Sequence, residues 1–514
     1  MKKYSGLEYL QLTKLQRFGY KFIAFFCAIP LWFKNLGIKI WKQLKRFGLF
    51  VAHDTVDLVQ TFIKGDWKTR VSYLVMGFGS AARGQVLRGL LFFVFEVVFI
   101  VYMCLPQGGG YWLSMMPSLG KTGPSRVLDP ELDVFVYQYG DNSFRILLYS
   151  VLTIFFIIAF IYTWRLNIRQ NRIAQEIIAS GKKLKSGKQD LHSLIDDQFH
   201  KTLLALPVVG ILVFTVMPIV FMILVAFTNY DGTHNGYTNN LFHWVGWDNF
   251  NTMLSWSSGN KSYSAAFGEI LTWTLIWAFF ATFTNYFLGM LVAIMINKKG
   301  IRLKKVWRTV LVLTIAIPQF ISLLYVTNMF ADSGIVIAKL REWFNVPASF
   351  SFYSVNANPV VARVYVIVIN IWIGIPYLML IATGILMNIP ADLYESAKID
   401  GANVWQQYFK ITLPYMLFVT GPYLLTSFIS NMNNFNVIYL LTGGGPTNAA
   451  VTSASGSVGY TDLLITWLFK ITTGANSEYY MASVVGILVF LVAAVLSLIV
   501  YNLMPSNKHE EDYQ

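Results

Sequence analysis

The stretch Glu395-Ser396-Ala397-Lys398-Ile399-Asp400-Gly401, followed by Ile411-Thr412-Leu413-Pro414, says most about the fold of this 514-residue chain. Both parts lie in one polar insert, residues 388–414, between two long apolar segments. Apolar residues make up 55% of the chain and charged residues 13%, against about 25% charged in ordinary soluble domains. The insert is therefore predicted to be a loop at which a membrane protein meets water.

Within this loop, Pro390 suits a first helical turn, where its missing N–H costs nothing. Gly401 can take the left-handed conformation that ends a helix, so a helix is predicted up to Asp400. Asn403 is placed to cap a second short helix that runs toward Phe409. The small side chains Ser396 and Ala397 allow close approach of a partner surface, Glu395 can pair with an arginine there, and Leu413-Pro414 closes the element.

Eight apolar segments have about the 20 residues needed to cross a bilayer. They predict an all-α membrane protein with almost no charge inside its helices. Glu96 is the exception, and it is interpreted either as a proton relay or as a carboxylate that is paired or snorkels to the membrane surface. The segments are Gly89–Leu105, Ile146–Trp164, Thr202–Phe227, Ile270–Ile296, Thr309–Phe330, Val364–Met387, Tyr415–Leu441 and Met481–Met504.

Lysine and arginine predict the orientation, since they are enriched in cytoplasmic loops. With both termini inside, 32 of the 40 Lys and Arg residues fall in the inner segments. This N-in, C-in arrangement puts residues 388–414 in the cytoplasm. The net charge of +14 is thus assigned to the anionic inner membrane face, and no nucleic-acid partner is expected.

Residues 1–88 are predicted to form a basic membrane-surface region of unknown function. Its two apolar stretches, Phe22–Phe33 and Trp41–Phe62, are interpreted as amphipathic helices on the inner leaflet. Phe22–Phe33 is short and interrupted by Pro30, and whether it enters the membrane is left open.

Several further motifs appear in a fixed order, and with residues 388–414 they resemble the membrane-spanning subunits of carbohydrate ABC importers of the maltose/maltodextrin type. The resemblance implies a type I permease core of six helices, residues 202–504. Residues 89–201 would then hold two extra transmembrane helices, an external loop and a basic linker, and residues 505–514 a cytoplasmic tail. The motifs are Ala226-Phe227-Thr228-Asn229-Tyr230, residues 370–377, residues 427–435, Leu441-Thr442-Gly443-Gly444-Gly445-Pro446 and residues 459–464.

The resemblance also implies a division of labour among several chains. This chain would have no catalytic or metal-binding residues and would bind no cofactor, because a separate ATPase dimer uses ATP and Mg. The other partners would be a second permease subunit with its own loop of this type, an oligosaccharide, and an extracellular solute-binding protein. The residues implied to contact the ATPase are Glu395, Ser396, Ala397, Asp400, Gly401, Leu413 and Pro414.

A candidate solute path is suggested by two uncharged polar stripes on otherwise apolar helices. One stripe is Asn370, Gly374 and Tyr377, and the other is Ser427, Asn431 and Asn434, both at i, i+4, i+7. Amides and hydroxyls suit sugar hydroxyls, but spacing alone equally allows hydrogen bonds that merely join helices. The resemblance favours sugar contact and adds Ile373 to these six residues, although Ser430 stands where the family has an aromatic residue.

One departure from the enteric members of the family is the loop at residues 228–269. It is too short for the folded external domain found there, and we interpret it as suiting a lipid-anchored binding protein. Two other function classes remain to be weighed. An ion-driven secondary transporter would need ion ligands at mid-membrane, which the six C-terminal spans lack, and a membrane scaffold or sensor would need a larger soluble domain.

Overall fold

The computed structural model of the protein describes residues 14–503, with short gaps, and side chains from residue 37 onward apart from a few positions. The predicted tail, residues 505–514, lies outside the described residues, as do the side chains of Phe22–Phe33. The chain divides into two compact units, residues 1–111 with 152–211 and residues 112–151 with 212–514. The gaps are 131–132, 139, 185–188, 190–191, 194, 236–239, 256–262, 299, 356, 454–455 and 475.

Eight helical segments of the described chain are long and apolar enough to cross a membrane. Their number confirms the prediction, and the fold class is an all-α membrane protein. The segments are Val86–Cys104, Ser143–Ala179, Phe199–Val225, Tyr263–Asn297, Gln319–Phe344, Pro359–Leu386, Val404–Met432 and Tyr479–Tyr501.

In the first unit, two short helices, Trp67–Val71 and Phe78–Ala81, connect a long helix, Lys14–Lys64, to the first candidate span, Val86–Cys104. Glu96, the one carboxylate inside a predicted span, is buried and accepts a hydrogen bond from the Met76 backbone N–H at 2.7 Å. The partner that the structure gives Glu96 is thus a backbone N–H, which satisfies the buried carboxylate without a basic side chain. The helices that begin in this unit are α1 (Lys14–Lys64), α2 (Trp67–Val71), α3 (Phe78–Ala81), α4 (Val86–Cys104), α5 (Gly109–Met115) and α7 (Phe199–Ile211).

Helix α1 is one continuous helix of 51 residues, where the sequence predicted two separate amphipathic stretches. Its C-terminal part is held to helix α6 (Ser143–Ala179) by two ion pairs, Asp54–Arg165 at 3.0 Å and Asp57–Arg172 at 2.7 Å. Between residues 37 and 50, the apolar side chains that the structure describes are exposed, including Trp41 at 70%. The two apolar stretches join into one helix because residues between them, such as Lys34, Leu36 and Lys39, are good helix formers.

The second unit is built around the packing of α10 (Tyr263–Asn297) against α14 (Pro359–Leu386) and α17 (Leu413–Met432). It also holds two small antiparallel hairpins, β1–β2 and β3–β4. The remaining elements are β1 (Ser125–Asp129), β2 (Val134–Gln138), α8 (Met217–Val225), α9 (Asp248–Leu254), α11 (Lys304–Ala316), α12 (Gln319–Phe330), α13 (Ile335–Phe344), α15 (Ala391–Ile399), α16 (Val404–Gln407), α18 (Phe435–Thr442), β3 (Thr447–Ser453), β4 (Gly456–Gly459), α19 (Leu464–Thr473) and α20 (Tyr479–Leu503).

Prolines modify these helices in different ways. Pro207 and Pro376 lie inside continuous helices, whereas Pro318 separates α11 from α12. The predicted span Thr309–Phe330 is therefore wrong as a single helix, because a proline both lacks an N–H and forces the preceding Ile317 into an extended conformation. The candidate span that is long and apolar enough instead comprises α12 and α13, Gln319–Phe344.

Candidate functional site

A layer of polar side chains separates two apolar clusters at the centre of the second unit. The Trp277 cluster contains Trp273, Trp277 and Ala281 of α10, with Tyr365 and Ile369 of α14 and Val437 and Ile438 of α18. The Met290 cluster contains Tyr286, Met290 and Ala293 of α10, with Met379 and Ala382 of α14 and Met416 and Leu424 of α17. Helices α10 and α14 each pass from one cluster to the other, and Thr282 and Asn285 of α10 and Asn370 and Gly374 of α14 lie between the two parts. Asn431 and Asn434 lie where α17, part of the Met290 cluster, is followed by α18, part of the Trp277 cluster.

The stripe predicted on α14 lies along this layer. Asn370 is buried, 5% exposed, and Tyr377 is half exposed. Gly374 packs so closely on Asn285 of α10 that a Cβ at residue 374 would lie 2.4 Å from the Asn285 Nδ2. Ile373 packs against the Trp277 cluster. Only glycine therefore allows the amide of Asn285 to approach α14 at this level.

The second predicted stripe is not on one helix. Helix α17 ends at Met432, and Asn434 is the N-cap of α18, its Oδ1 accepting from the Val437 backbone N–H at 3.4 Å. The prediction of an uninterrupted helix, Tyr415–Leu441, is wrong here because asparagine side chains bond readily to nearby backbone and favour caps. Asn434 Nδ2 still donates to Asn431 Oδ1 at 3.3 Å, so the break keeps the two amides together.

Ser427 and Asn431, the other members of that stripe, lie on α17. The Tyr423 hydroxyl hydrogen-bonds Ser427, one turn away. Asn431 Nδ2 donates to Thr282 Oγ1 of α10 at 3.0 Å, and its backbone oxygen accepts from Trp277 Nε1 at 3.1 Å. The structure therefore brings one member of each stripe, Gly374 and Asn431, against the same helix, α10.

Helix α10 was missed as a source of polar residues for this layer. Thr282 and Asn285 are buried, at 1% and 6% exposed, and they are three residues apart, hence on one face of the helix. Two polar residues on one face of the apolar segment Ile270–Ile296 are a sequence signal for a polar contact there. It was hidden because a lone Thr and Asn do not form the i, i+4, i+7 pattern of the other two stripes.

The loop of residues 388–414 has the predicted helix–Gly–helix form. Helix α15 runs from Ala391 to Ile399, and Gly401 follows with φ of 76°. The Ala402 backbone N–H bonds the Ala397 carbonyl at 2.8 Å, which closes the helix end. Asn403 caps α16 reciprocally with Gln406, at 2.8 and 2.9 Å.

Leu413-Pro414 does not close the element, contrary to the prediction. After α16 the chain forms a π-helical turn, Tyr408–Thr412, and continues directly into α17. The wider turn precedes Pro414, whose ring would clash with an ordinary helical carbonyl four residues earlier. The same arrangement occurs at Pro218, where the π-helical turn Leu212–Val216 precedes α8.

One side-chain contact joins the two arms of the loop. The Tyr394 hydroxyl of α15 and the buried Thr412 hydroxyl lie 2.9 Å apart. Most residues predicted to contact a partner are exposed: Glu395, Ser396, Asp400, Gly401 and Pro414. Ala397 and Leu413 are partly exposed. Apolar side chains are exposed beside them, including Ile399 at 87%, Val404 at 79% and Trp405 at 70%, and together they form a loop surface suited to another protein.

Two of the sequence motifs, residues 441–446 and 459–464, fold against each other. Thr461 makes most of the contacts between them. Its backbone N–H donates a hydrogen bond to the Gly444 carbonyl at 3.1 Å, and its hydroxyl lies 2.8 Å from the Thr442 hydroxyl. Its carbonyl accepts from Trp273 Nε1 of α10 at 3.2 Å. A Cβ at Gly459 would collide with the Gly444 backbone, so glycine is required for this close approach.

This motif pair encloses a buried ion pair. Asp462 is fully buried and lies 2.6 Å from Lys470 Nζ. Burial raises the pKa of the Asp462 carboxyl, against the opposing effects of Lys470 and of hydrogen bonds from Gly459 and Thr466. The ion pair joins the 459–464 motif to α19, and Trp273 of α10 bonds the same motif through the Thr461 carbonyl.

Comparisons with known proteins extend over nearly the whole chain. Residues 285–509 match the family described as binding-protein-dependent transport system inner membrane component. The chain is 31% identical to the maltodextrin transport system permease protein MalC of Streptococcus pneumoniae, over 84% of this chain and 95% of that one. It is 31% identical to MdxF of Bacillus subtilis, also a maltodextrin transport system permease protein, over 88% of this chain and 98% of MdxF. It is 35% identical to the maltose/maltodextrin transport system permease protein MalF of Escherichia coli, over 50% of this chain and 48% of MalF.

Proposed function

Because the chain belongs to the family of sugar ABC importer permeases and is a multi-pass protein of the cytoplasmic membrane, we propose that it forms one half of a translocation pore for maltodextrin-like oligosaccharides. The observation that carries this proposal is the uncharged polar layer between the Trp277 and Met290 clusters. It is supported by the two similar permeases whose names give maltodextrin as substrate.

The chemistry of the layer suits a neutral sugar. Asn370, Asn431 and Asn434 each offer a donor and an acceptor, and Ser427 adds a hydroxyl. Tyr377, half exposed, presents a ring that can pack on the apolar face of a sugar. Residues 281–286, 369–378 and 427–435 include no charged side chain, so the layer has no carboxylate to balance the charge of a cation.

The proposed energy source is ATP hydrolysis by a separate subunit dimer that docks on the loop surface. Ile399, Val404 and Trp405 would enter its cleft, while Glu395 pairs with a cationic side chain there. The direct continuation of the loop into α17 supports this role, since a movement of the loop would reach Asn431 through one helical run. N-in, C-in orientation would place the loop on the ATP side.

The proposed partners complete the pore. They are a second permease subunit with its own coupling loop, the ATPase dimer, and an extracellular solute-binding protein, lipid-anchored because the loop after α8 is short. ATP and Mg belong to the ATPase, and this chain binds no cofactor of its own. Sugar passage would follow alternating access, with the polar layer open to one side at a time.

Co-expression and reconstitution test the function directly. The tagged chain is expected to purify with an ATPase and a second permease, and the complex with its binding protein should take up maltotriose in proteoliposomes only with internal ATP. A panel of maltodextrins and other neutral oligosaccharides then identifies the substrate by its stimulation of ATP hydrolysis. Uptake by the chain alone on a proton gradient would instead support the secondary-transporter alternative.

A further inference from the structure

We propose that Asn285 of helix α10 is a specificity-determining residue that binds a sugar hydroxyl together with Asn370, an inference that rests on the proposed sugar transport. The sugar site would then have three walls, α10, α14 and the α17–α18 junction, instead of the two that the sequence stripes predicted. The evidence lies in the hydrogen bonding of these two buried amides.

Within the described part of the chain, neither Asn285 Oδ1 nor Asn370 Nδ2 has a hydrogen-bond partner. Both residues are more than nine-tenths buried, and they lie on facing helices in the most extensively packed helix pair. Natural structures rarely leave buried polar atoms unpaired, and each exception calls for an explanation such as a functional role. If these asparagines served only to join helices, their amides would be expected to bond across the interface.

The two unpaired atoms are complementary to one chemical group. Asn285 Oδ1 is an acceptor and Asn370 Nδ2 is a donor, and a sugar hydroxyl both donates and accepts. The Asn285 amide packs against Gly374, which lies one helical turn from Asn370. A hydroxyl entering between α10 and α14 could therefore satisfy both atoms, whereas a cation or an anion would satisfy only one.

The neighbouring contacts show that α10 already takes part in this layer. Thr282, one turn before Asn285, accepts the hydrogen bond of Asn431 at 3.0 Å. Both residues lie between the parts of α10 that belong to the Trp277 and Met290 clusters. Asn285 therefore lies at the same level as the sugar-contact residues of the other two walls.

Asn285→Ala in the complete complex tests the inference. The loss of one hydrogen bond to substrate is expected to lower the initial rate of maltotriose uptake at subsaturating sugar about three- to tenfold. The midpoint of thermal unfolding is expected to stay within a degree or two of wild type, because the removed oxygen has no partner within the protein. Asn285→Ser retains a hydroxyl and is expected to give an intermediate uptake rate.

Thr284→Ala is the matched control on the same helix. Its hydroxyl bonds only the backbone of its own helix, at Phe280, and uptake is expected to remain at the wild-type rate. A double variant, Asn285→Ala with Asn370→Ala, is expected to lose less than the sum of the two single effects, because both side chains share one hydroxyl.

The outcomes separate this inference from the proposed function. If Asn370→Ala and Asn434→Ala reduce uptake while Asn285→Ala and Asn285→Ser transport normally, the third wall is wrong and sugar transport stands. A marked fall in thermal stability of both Asn285 variants, with uptake falling in proportion to folded complex, would show a purely structural role. If the wild-type complex transports no neutral oligosaccharide, the proposed function itself fails.

Discussion

An asparagine inside a membrane helix either joins helices by hydrogen bonds or contacts a transported solute, and the hydrogen bonds of Asn434 join α18 to α17. Its Oδ1 caps α18 and its Nδ2 bonds Asn431. The sequence predicted the polar character of this position but not its cap geometry, because the i, i+4, i+7 spacing of Ser427, Asn431 and Asn434 also fits an unbroken helix. Thr282 and Asn285 show the same limit, since their importance comes from the facing residues of other helices.

Asn434→Ala is expected to reduce sugar uptake about three- to tenfold, through one lost hydrogen bond to substrate. Loss of the cap should lower the free energy of unfolding by about 1 kcal/mol, too little to prevent assembly. Uptake and thermal melting of the purified complex measure the two effects. Asn433→Ala, at the exposed neighbouring position, is the control, and equal uptake by both variants would favour a purely helix-joining role.

Asp231 provides a prediction on pH. Burial would raise its pKa, but hydrogen bonds from the Thr233 side chain, His234 and the Thr233 backbone outweigh burial, and its folded-state pKa is lowered. A lowered folded pKa gives stability that is present above the unfolded value of about 4 and is lost as pH falls through the folded pKa. Asp231→Asn should therefore cost about 1–2 kcal/mol at pH 7, and the difference from wild type should shrink below pH 4 in thermal melts. A difference unchanged at pH 3 would contradict the assignment.

At the scale of elements, the caps and stops of the loop were predictable because they depend on neighbours in sequence. Pro390, Gly401 and Asn403 act within a few residues, and the structure has the expected helix, stop and cap. The continuation through Pro414 was not predictable in this way. It requires the π-helical turn Tyr408–Thr412 before Pro414, whereas a proline in a sequence is by itself more often a sign that a helix ends or begins.

The contact between Tyr394 and Thr412 is expected to make the two arms of the loop move together. Tyr394→Phe removes one hydroxyl and should lower sugar-stimulated ATP hydrolysis of the assembled complex about three- to tenfold, with assembly intact. Thr412→Ala should have a similar effect, and the double variant should be no worse than either single one. Additive effects of the two changes would show that this hydrogen bond does not carry the coupling.

Helix α1 leads to a prediction about the membrane surface. Lys39, Lys42 and Arg46 lie on one side of its exposed part, and Trp41 and Leu44 lie on another, as expected for a helix at an anionic bilayer. With Cys27 and Cys104 changed to serine, a spin label at Trp41→Cys should be accessible to oxygen in liposomes with anionic lipid. A label at Lys42→Cys should be accessible to a water-soluble relaxation agent. Equal exposure of both labels to water would exclude this placement.

For the whole molecule, the number of spans and the class of fold followed from composition and segment length alone. The exact helix ends did not, as α6 shows by continuing to Ala179, well past the predicted end at Trp164. Its extension pairs Arg165 and Arg172 with acidic residues of α1, over 100 positions away in sequence. Charged residues such as Arg165 end the apolar segment that predicts a span. The helix itself continues, because these residues are paired with distant acidic residues.

Orientation is a prediction for the whole molecule, based on the 32 of 40 cationic residues assigned to the inner side. In a chain without Cys27 and Cys104, a membrane-impermeant thiol reagent applied to intact cells should label Lys121→Cys and spare Lys398→Cys. Both positions are exposed, so accessibility within the protein is matched. Labelling of Lys398→Cys alone would reverse the orientation and remove the loop surface from the ATP side.

If the loop moves as proposed, the helical run from Val404 to Met432 would transmit its rotation as a lever arm. Asn431 is about 40 Å from Val404 along this run at 1.5 Å per residue, so a tilt of about 5° at the loop moves Asn431 by about 3 Å. That displacement equals the length of its hydrogen bond to Thr282. A small rotation at one end of the arm is thus enough to disconnect the far end from helix α10.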